Sequence, residues 1–423
     1  MHEGTWRRYA VAAALLVAPA AAQQRSYVDW YQEMATAYRG GDHAAMAAAA
    51  EGALGVRPRF PAMMVNLAVA RARLGDNEAA LELLEQVAAM GLAFPVDGNE
   101  EFAALEAEPR FTEIVTRMAA NASPTGRAEV AFTLPQRDFF PEGIAADGSG
   151  GFFVSSVRHG DIVRVGAEGE ARRFARLSWS VLGLRADHAR SLLWVAISGL
   201  EQRAGLAEER RGRAGIAALD LRDGALLSEH LLPAGVERVV GDLVVGADGS
   251  VYATDSIAGG LWVLRPGTNE LVALLPDGAL PSPQGLDFGP GGALYVAAYN
   301  GGFYRFDLRS GVLDRVALPD TVSAYGIDGL YTWGNGLVAV QNGTQPQRVI
   351  HLRLDAAGRA VTGAEVLLAA HPRFGEPTLA ALSGGELHLV AASPWAYFSD
   401  PATPPDVASL PIPTVLRLAL PGS

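Results

Sequence analysis

The stretch EGIAADGSGGFFVSS, residues 142–156, decides the fold, because its pattern returns five more times before the chain ends. The later copies are LGLRADHARSLLWVAIS from Leu182, DLVVGADGSVYATDS from Asp242, QGLDFGPGGALYVAAY from Gln284, DGLYTWGNGLVAVQN from Asp328 and TLAALSGGELHLVAAS from Thr378. Most open on a polar or small residue; all continue through an aliphatic run, turn, and end in a second aliphatic or aromatic run. Their starts lie 40, 60, 42, 44 and 50 residues apart. Spacing in the forties, with several short strands per unit, is the signature of a four-stranded propeller blade. The chain is therefore expected to be mainly β, with a six-bladed β-propeller over 127–423. The sixth unit ends one strand short. RAEVAFTL at 127–134 is expected to supply that outer strand, which closes the ring and removes two open sheet edges.

The residues ahead of the ring follow another period. Over 23–120 apolar positions such as Leu81, Leu84 and Val87, or Phe102 and Leu105, recur at helical spacing. Gly41-Asp42 and Gly75-Asp76 stand 34 residues apart, the tetratricopeptide period, so an N-terminal α-helical, tetratricopeptide-like domain is expected. An unrelated helical hairpin is the alternative. NASPTG at 121–126 breaks the helical pattern with Pro124 and Gly126 and reads as a linker. The opening MHEGTWRRYAVAAALLVAPAAAQQ sets Arg7 and Arg8 before a short apolar run and small residues. That is the pattern of a signal peptide over 1–22, the alternative being a retained anchor. An exported chain, periplasmic or secreted, is expected, with no membrane span once the segment is removed.

Composition narrows the function classes. Of 423 residues 49% are hydrophobic and 19% charged, which fits neither a disordered chain nor a multi-span membrane protein. A formal charge of -12 excludes non-specific nucleic-acid binding, which needs cations to neutralise phosphates. With no cysteine, disulfides, thiolate chemistry and sulfur ligation of metals are all excluded.

The first strand of a blade lines the central channel, so Glu142, Leu182, Asp242, Gln284, Asp328 and Thr378 are expected near one mouth. Three carboxylates that close together need a cation, or else shared protons. Every donor atom offered is oxygen, which favours a hard cation, Ca²⁺ first and Mg²⁺ second. The loops after the second strands return to the same face. They bring His159, Tyr299, Asn300, Asn342 and Trp395, among others, around the mouth. His159 has the proton affinity for acid–base work, although a loop histidine is also commonly just exposed. Asp242, Tyr299, Asn300 and Asn342 are the candidate substrate-binding residues. The longer second unit carries SGLEQRAGLAEERRGRAG at 198–215 over this mouth, either a lid or a solvated insertion.

With these motifs, residues 127–423 resemble the gluconolactonase and senescence-marker-protein (regucalcin-like) family of six-bladed propellers. The resemblance implies a divalent ion, commonly Ca²⁺, held by Glu142 in blade one, Gln284 in blade four and Asp328, within IDGLY, in blade five. Asp242 would assist. The chain departs from the family pattern twice: Gln284 stands for an asparagine, and Gly241 precedes Asp242 where the family has an amide.

The expected function is that of an exported Ca²⁺-dependent hydrolase of lactones or related esters. The metal would polarise the carbonyl, and Asp328 or His159 would take the proton. The alternative is a non-catalytic propeller that binds a peptide or small ligand at the same mouth. In either case the helical repeats could recruit a protein partner.

Overall fold

Six four-stranded antiparallel sheets follow one another along the chain in a computed structural model that describes residues 25–400, 403 and 405–422. The expected signal peptide over 1–22 lies outside the described residues. The innermost strands are Pro141–Ala146, Ser180–Asp187, Val240–Val245, Pro283–Phe288, Ile327–Trp333 and Ala380–Ser383. Within blades one to five, each following strand pairs with the one before it. The sixth blade is completed from the other end of the ring, where Glu129–Thr133 pairs with Thr414–Ala419.

A bulge in the inner strand explains why the repeat begins as it does. In each of the first five blades the ladder slips past two residues without partners in register. These pairs are Glu142-Gly143, Leu182-Gly183, Gly241-Asp242, Gln284-Gly285 and Asp328-Gly329. The bulge re-aims one side chain of each pair. The glycine is needed because neighbouring blades touch there: a Cβ on Gly143 would stand 2.2 Å from the Leu182 carbonyl oxygen, and one on Gly285 2.4 Å from that of Asp328. Hydroxyls on or beside the adjoining strands satisfy bulge carbonyls that would otherwise be buried without partners. Ser155 donates to Leu182 O at 2.6 Å, Thr254 to Gln284 O at 2.7 Å, and Thr378 to Glu142 O at 2.9 Å.

The helices α1 (Tyr27–Gly40), α2 (His43–Val56), α3 (Pro61–Arg73), α4 (Asn77–Ala89) and α5 (Pro109–Asn121) have their own apolar core. The repeated Gly-Asp marks two equivalent turns. Gly41 and Gly75 take the left-handed conformation after α1 and α3, and Asp42 and Asp76 cap α2 and α4. No helix among the described residues is long and apolar enough to cross a membrane.

The helical domain rests on blade five. Buried Arg348 donates from Nη1 to Met90 O (2.9 Å) and Gly91 O (3.0 Å), while Ala93 N–H donates to Gln345 O at 2.8 Å. Tyr325 OH reaches Pro58 O at 2.9 Å. Within 121–126, Thr125 exchanges both backbone hydrogen bonds with Ala369, at 3.0 and 2.9 Å.

Candidate functional site

Each bulge turns its first residue toward one mouth of the channel, and a cavity of about 1020 Å³ opens there. Glu142, Gln284, Tyr299, Asn300, Asp328 and Asn342, six of the residues singled out in the sequence, line it. Leu182 and Gly241 occupy the equivalent positions of blades two and three.

Glu142 is 6% exposed, and its Oε2 accepts from the Trp395 indole N–H at 2.8 Å and the Ser393 hydroxyl at 3.2 Å. Burial first, then the nearby Asp328 charge, raises its pKa well above the usual carboxylate value. Asp328 accepts from the Asn342 amide at 2.8 Å, yet burial pushes it up to about 7. The charges of Glu376 and Asp242 add to that push. Tyr299 is raised by burial and by Asp328 and Glu376, so its phenol keeps its proton and remains a donor. The Asn342 side-chain oxygen is buried with no hydrogen-bond partner, and it adjoins Asp328.

Two expected placements, those of Asp242 and His159, are corrected. Asp242 does not line the cavity, because blade three carries its bulge pair in reverse order: Val240 pairs with Asp255 and Leu243 with Ala253, which puts Gly241 in the position of Glu142. Asp242 therefore takes the close-approach position, where glycine at 183 leaves room for it. Arg185 Nη2 donates to its Oδ2 at 3.0 Å and Leu243 N–H to its Oδ1 at 2.8 Å. Burial raises Asp242 to about 6 against the pull of Arg185. His159 is also outside the cavity; its Nε2 lies 3.0 Å from Asp138 Oδ2. The segment 198–215 forms a wall of the cavity. Arg203 fastens it to Trp179 O, Arg158 O and Leu177 O, each at 3.2 Å, and Ala204 N–H donates to Arg158 O at 2.8 Å.

Gln284 lines the cavity, but its amide lies beside the vacant side of blade three. A Cβ on Gly241 would stand 2.8 Å from Gln284 Oε1. The longer side chain thus fills space that a residue other than glycine at 241 would take.

Glu376 was not anticipated. It lines the cavity, is half-buried, and burial raises its pKa. Its signal was available in FGEPTLAAL, where a Glu-Pro pair precedes the sixth inner strand much as Pro141-Glu142 opens the first. The sixth ladder has no bulge, so the repeat pointed to Thr378 instead.

Glu142, Asp328 and the unpartnered Asn342 oxygen make an all-oxygen donor set suited to a hard cation. Among the described residues no three acidic or imidazole side chains gather as a ready ligand cage. Amide oxygens would have to complete the coordination.

No family model and no curated protein matches this chain. Similar solved structures include a calcium-binding protein, regucalcin, from Agrobacterium tumefaciens. It is 16% identical, with 70% of this chain and 94% of that chain covered and a TM-score of 0.49. A gluconolactonase from Xanthomonas campestris is 18% identical over 72% of this chain and 93% of that one, TM-score 0.45. The PQQ-bound aldose sugar dehydrogenase of Streptomyces coelicolor is 15% identical over 70% and 99%, TM-score 0.47. The likeness is one of fold, which hosts unrelated chemistries and assigns none to this chain.

Proposed function

We propose that this protein hydrolyses lactones or related esters at the Glu142–Asp328 mouth. The observation that supports the reading is the half-buried Asp328, held by the Asn342 amide and, with no cation bound, raised to about 7, facing a large cavity beside proton-bearing donors. A carboxylate tuned near neutrality suits general-base work.

The substrate carbonyl oxygen would accept from the Tyr299 hydroxyl and the Asn300 amide. Asp328 takes a proton from water as the water oxygen bonds to the carbonyl carbon. It returns that proton to the ring or ester oxygen as the carbon–oxygen bond breaks. One water is consumed, and a hydroxy acid, or an acid and an alcohol, leaves. Glu142, fixed by Trp395 and Ser393, shapes the charge of the mouth. Ca²⁺, or Mg²⁺ as second choice, would be held by Glu142, Asp328 and the Asn342 oxygen, and would supply Lewis-acid polarisation of the carbonyl. Gln284 would join this set only by leaving the space over Gly241.

A panel of lactones and aryl esters, assayed with excess Ca²⁺, with Mg²⁺ and with chelator, tests the proposal. Turnover above background that drops with chelator is expected. Absence of turnover on every substrate in every condition would leave a binding propeller.

A further inference from the structure

One wall of the cavity is apolar where it could have been polar. Leu232, Pro233, Ala234, Gly235 and Val236 run consecutively along it, and Pro233 to Val236 are exposed. Connecting loops run over the surface among water, where Pro233 and Gly235 are ordinary turn residues but large aliphatic side chains are not. Val236 nevertheless stands 51% exposed, and Ile257, from the next blade, is 58% exposed and lines the same cavity. Behind them the ring positions of blades two and three are Leu182 and Gly241, where the polar groups are the Gln284 amide that reaches over Gly241 and the Ser256 hydroxyl beside it. Three of the five charged groups on this wall are held in ion pairs. Arg211 pairs with Glu201 at 2.5 Å, and Arg238 with Asp255 and Asp277 at 2.7 and 2.9 Å. Glu237 and Arg213 are exposed and also line the cavity, marking its solvent side.

The opposite arc, from blades four to six and blade one, holds Gln284, Asn300, Asp328, Asn342, Glu376 and Glu142. The cavity is thus divided between a polar arc that holds the reacting groups and an apolar trough continuous with it. A ligand covered in hydroxyls would leave those hydroxyls without partners along the trough, which costs free energy. A hydrocarbon chain would bury there at a gain.

We propose that the substrate carries an unbranched apolar tail of several carbons, seated along residues 232–236 and Ile257, while its lactone or ester carbonyl reaches Asp328. The assignment of the carbonyl rests on the hydrolase reading; the seating of the tail rests on the trough alone. The trough is a specificity surface that selects among substrates the polar arc would treat alike.

The test uses the full chain and a series of five-membered lactones with unbranched alkyl substituents from methyl to nonyl. The matching lactams serve as non-hydrolysable probes, with binding measured by calorimetry. Affinity for the lactams, and kcat/KM for the lactones, should rise about two- to fourfold per methylene until the trough is filled. In Val236→Asp/Ile257→Asp that dependence on chain length should flatten, with thermal stability retained because both side chains are exposed. Lactam affinity that rises with chain length while no lactone is turned over would sustain the trough and remove the hydrolase reading. Lactone turnover with no dependence on chain length, whether or not the lactams bind, would overturn the trough and leave the hydrolase reading standing.

Discussion

A methyl group added at Gly241 would come within 2.8 Å of the Gln284 side-chain oxygen, so the glycine at 241 and the long amide at 284 are one feature of the mouth. Sequence shows both changes but not that one fills the space of the other, because blade closure alone brings them together. The one-residue offset of Asp242 is hidden for a similar reason: only the ladder tells which member of Gly241-Asp242 faces the mouth. The carboxylates that do face it make a pH prediction. Asp328 is raised to about 7 and Glu142 well above its ordinary value, so the folded chain keeps protons that the unfolded chain has already released. Between about pH 4 and pH 7 the folded state binds more protons, and its stability falls as pH rises. In chelator, wild type should therefore lose stability relative to Asp328→Asn across that window, on the order of a few kcal/mol. Parallel curves for the two proteins from denaturant titrations would refute the shift.

The strand Glu129–Thr133 joins the first part of the ring to its last sheet, and Glu129 faces Arg417 across it, with Arg417 Nη2 donating at 2.6 Å. The six units and this closing strand were legible because the repeat is written in alternating apolar runs and glycine turns. The bulge was not, because a strand that skips two partners has the same residue pattern as one that does not. Closure can be tested without interference from other thiols, since the chain has no cysteine. Glu129→Cys/Arg417→Cys should oxidise to a disulfide, identified by peptide mapping, and stabilise the fold by about 2–4 kcal/mol. Failure to cross-link under oxidising conditions would argue against the pairing.

At the scale of the whole molecule the helical domain and the ring share a polar seam. Arg348 is buried, its pKa lowered by that burial, and it bonds backbone carbonyls of the helical domain. Its Nε also holds the Gln341 side chain at 2.7 Å, next to Asn342, which hydrogen-bonds Asp328. The 34-residue spacing revealed the helical hairpins, but nothing in NASPTG revealed that Thr125 would pair with Ala369. Long-range pairing of a short polar segment leaves no periodic trace. The same limit governed the Trp395 and Ser393 contacts to Glu142, which exist only once the ring is closed. Trp395 and Ser393 hold Glu142, and Asn342 holds Asp328, the carboxylate assigned the proton transfer. The most direct measurement is kcat/KM on a lactone turned over by the wild type, compared with Asp328→Asn of matched secondary structure and thermal stability. A fall of about 10²- to 10⁴-fold is expected for loss of a general base. Equal rates in the two proteins would place the chemistry elsewhere and contradict the account.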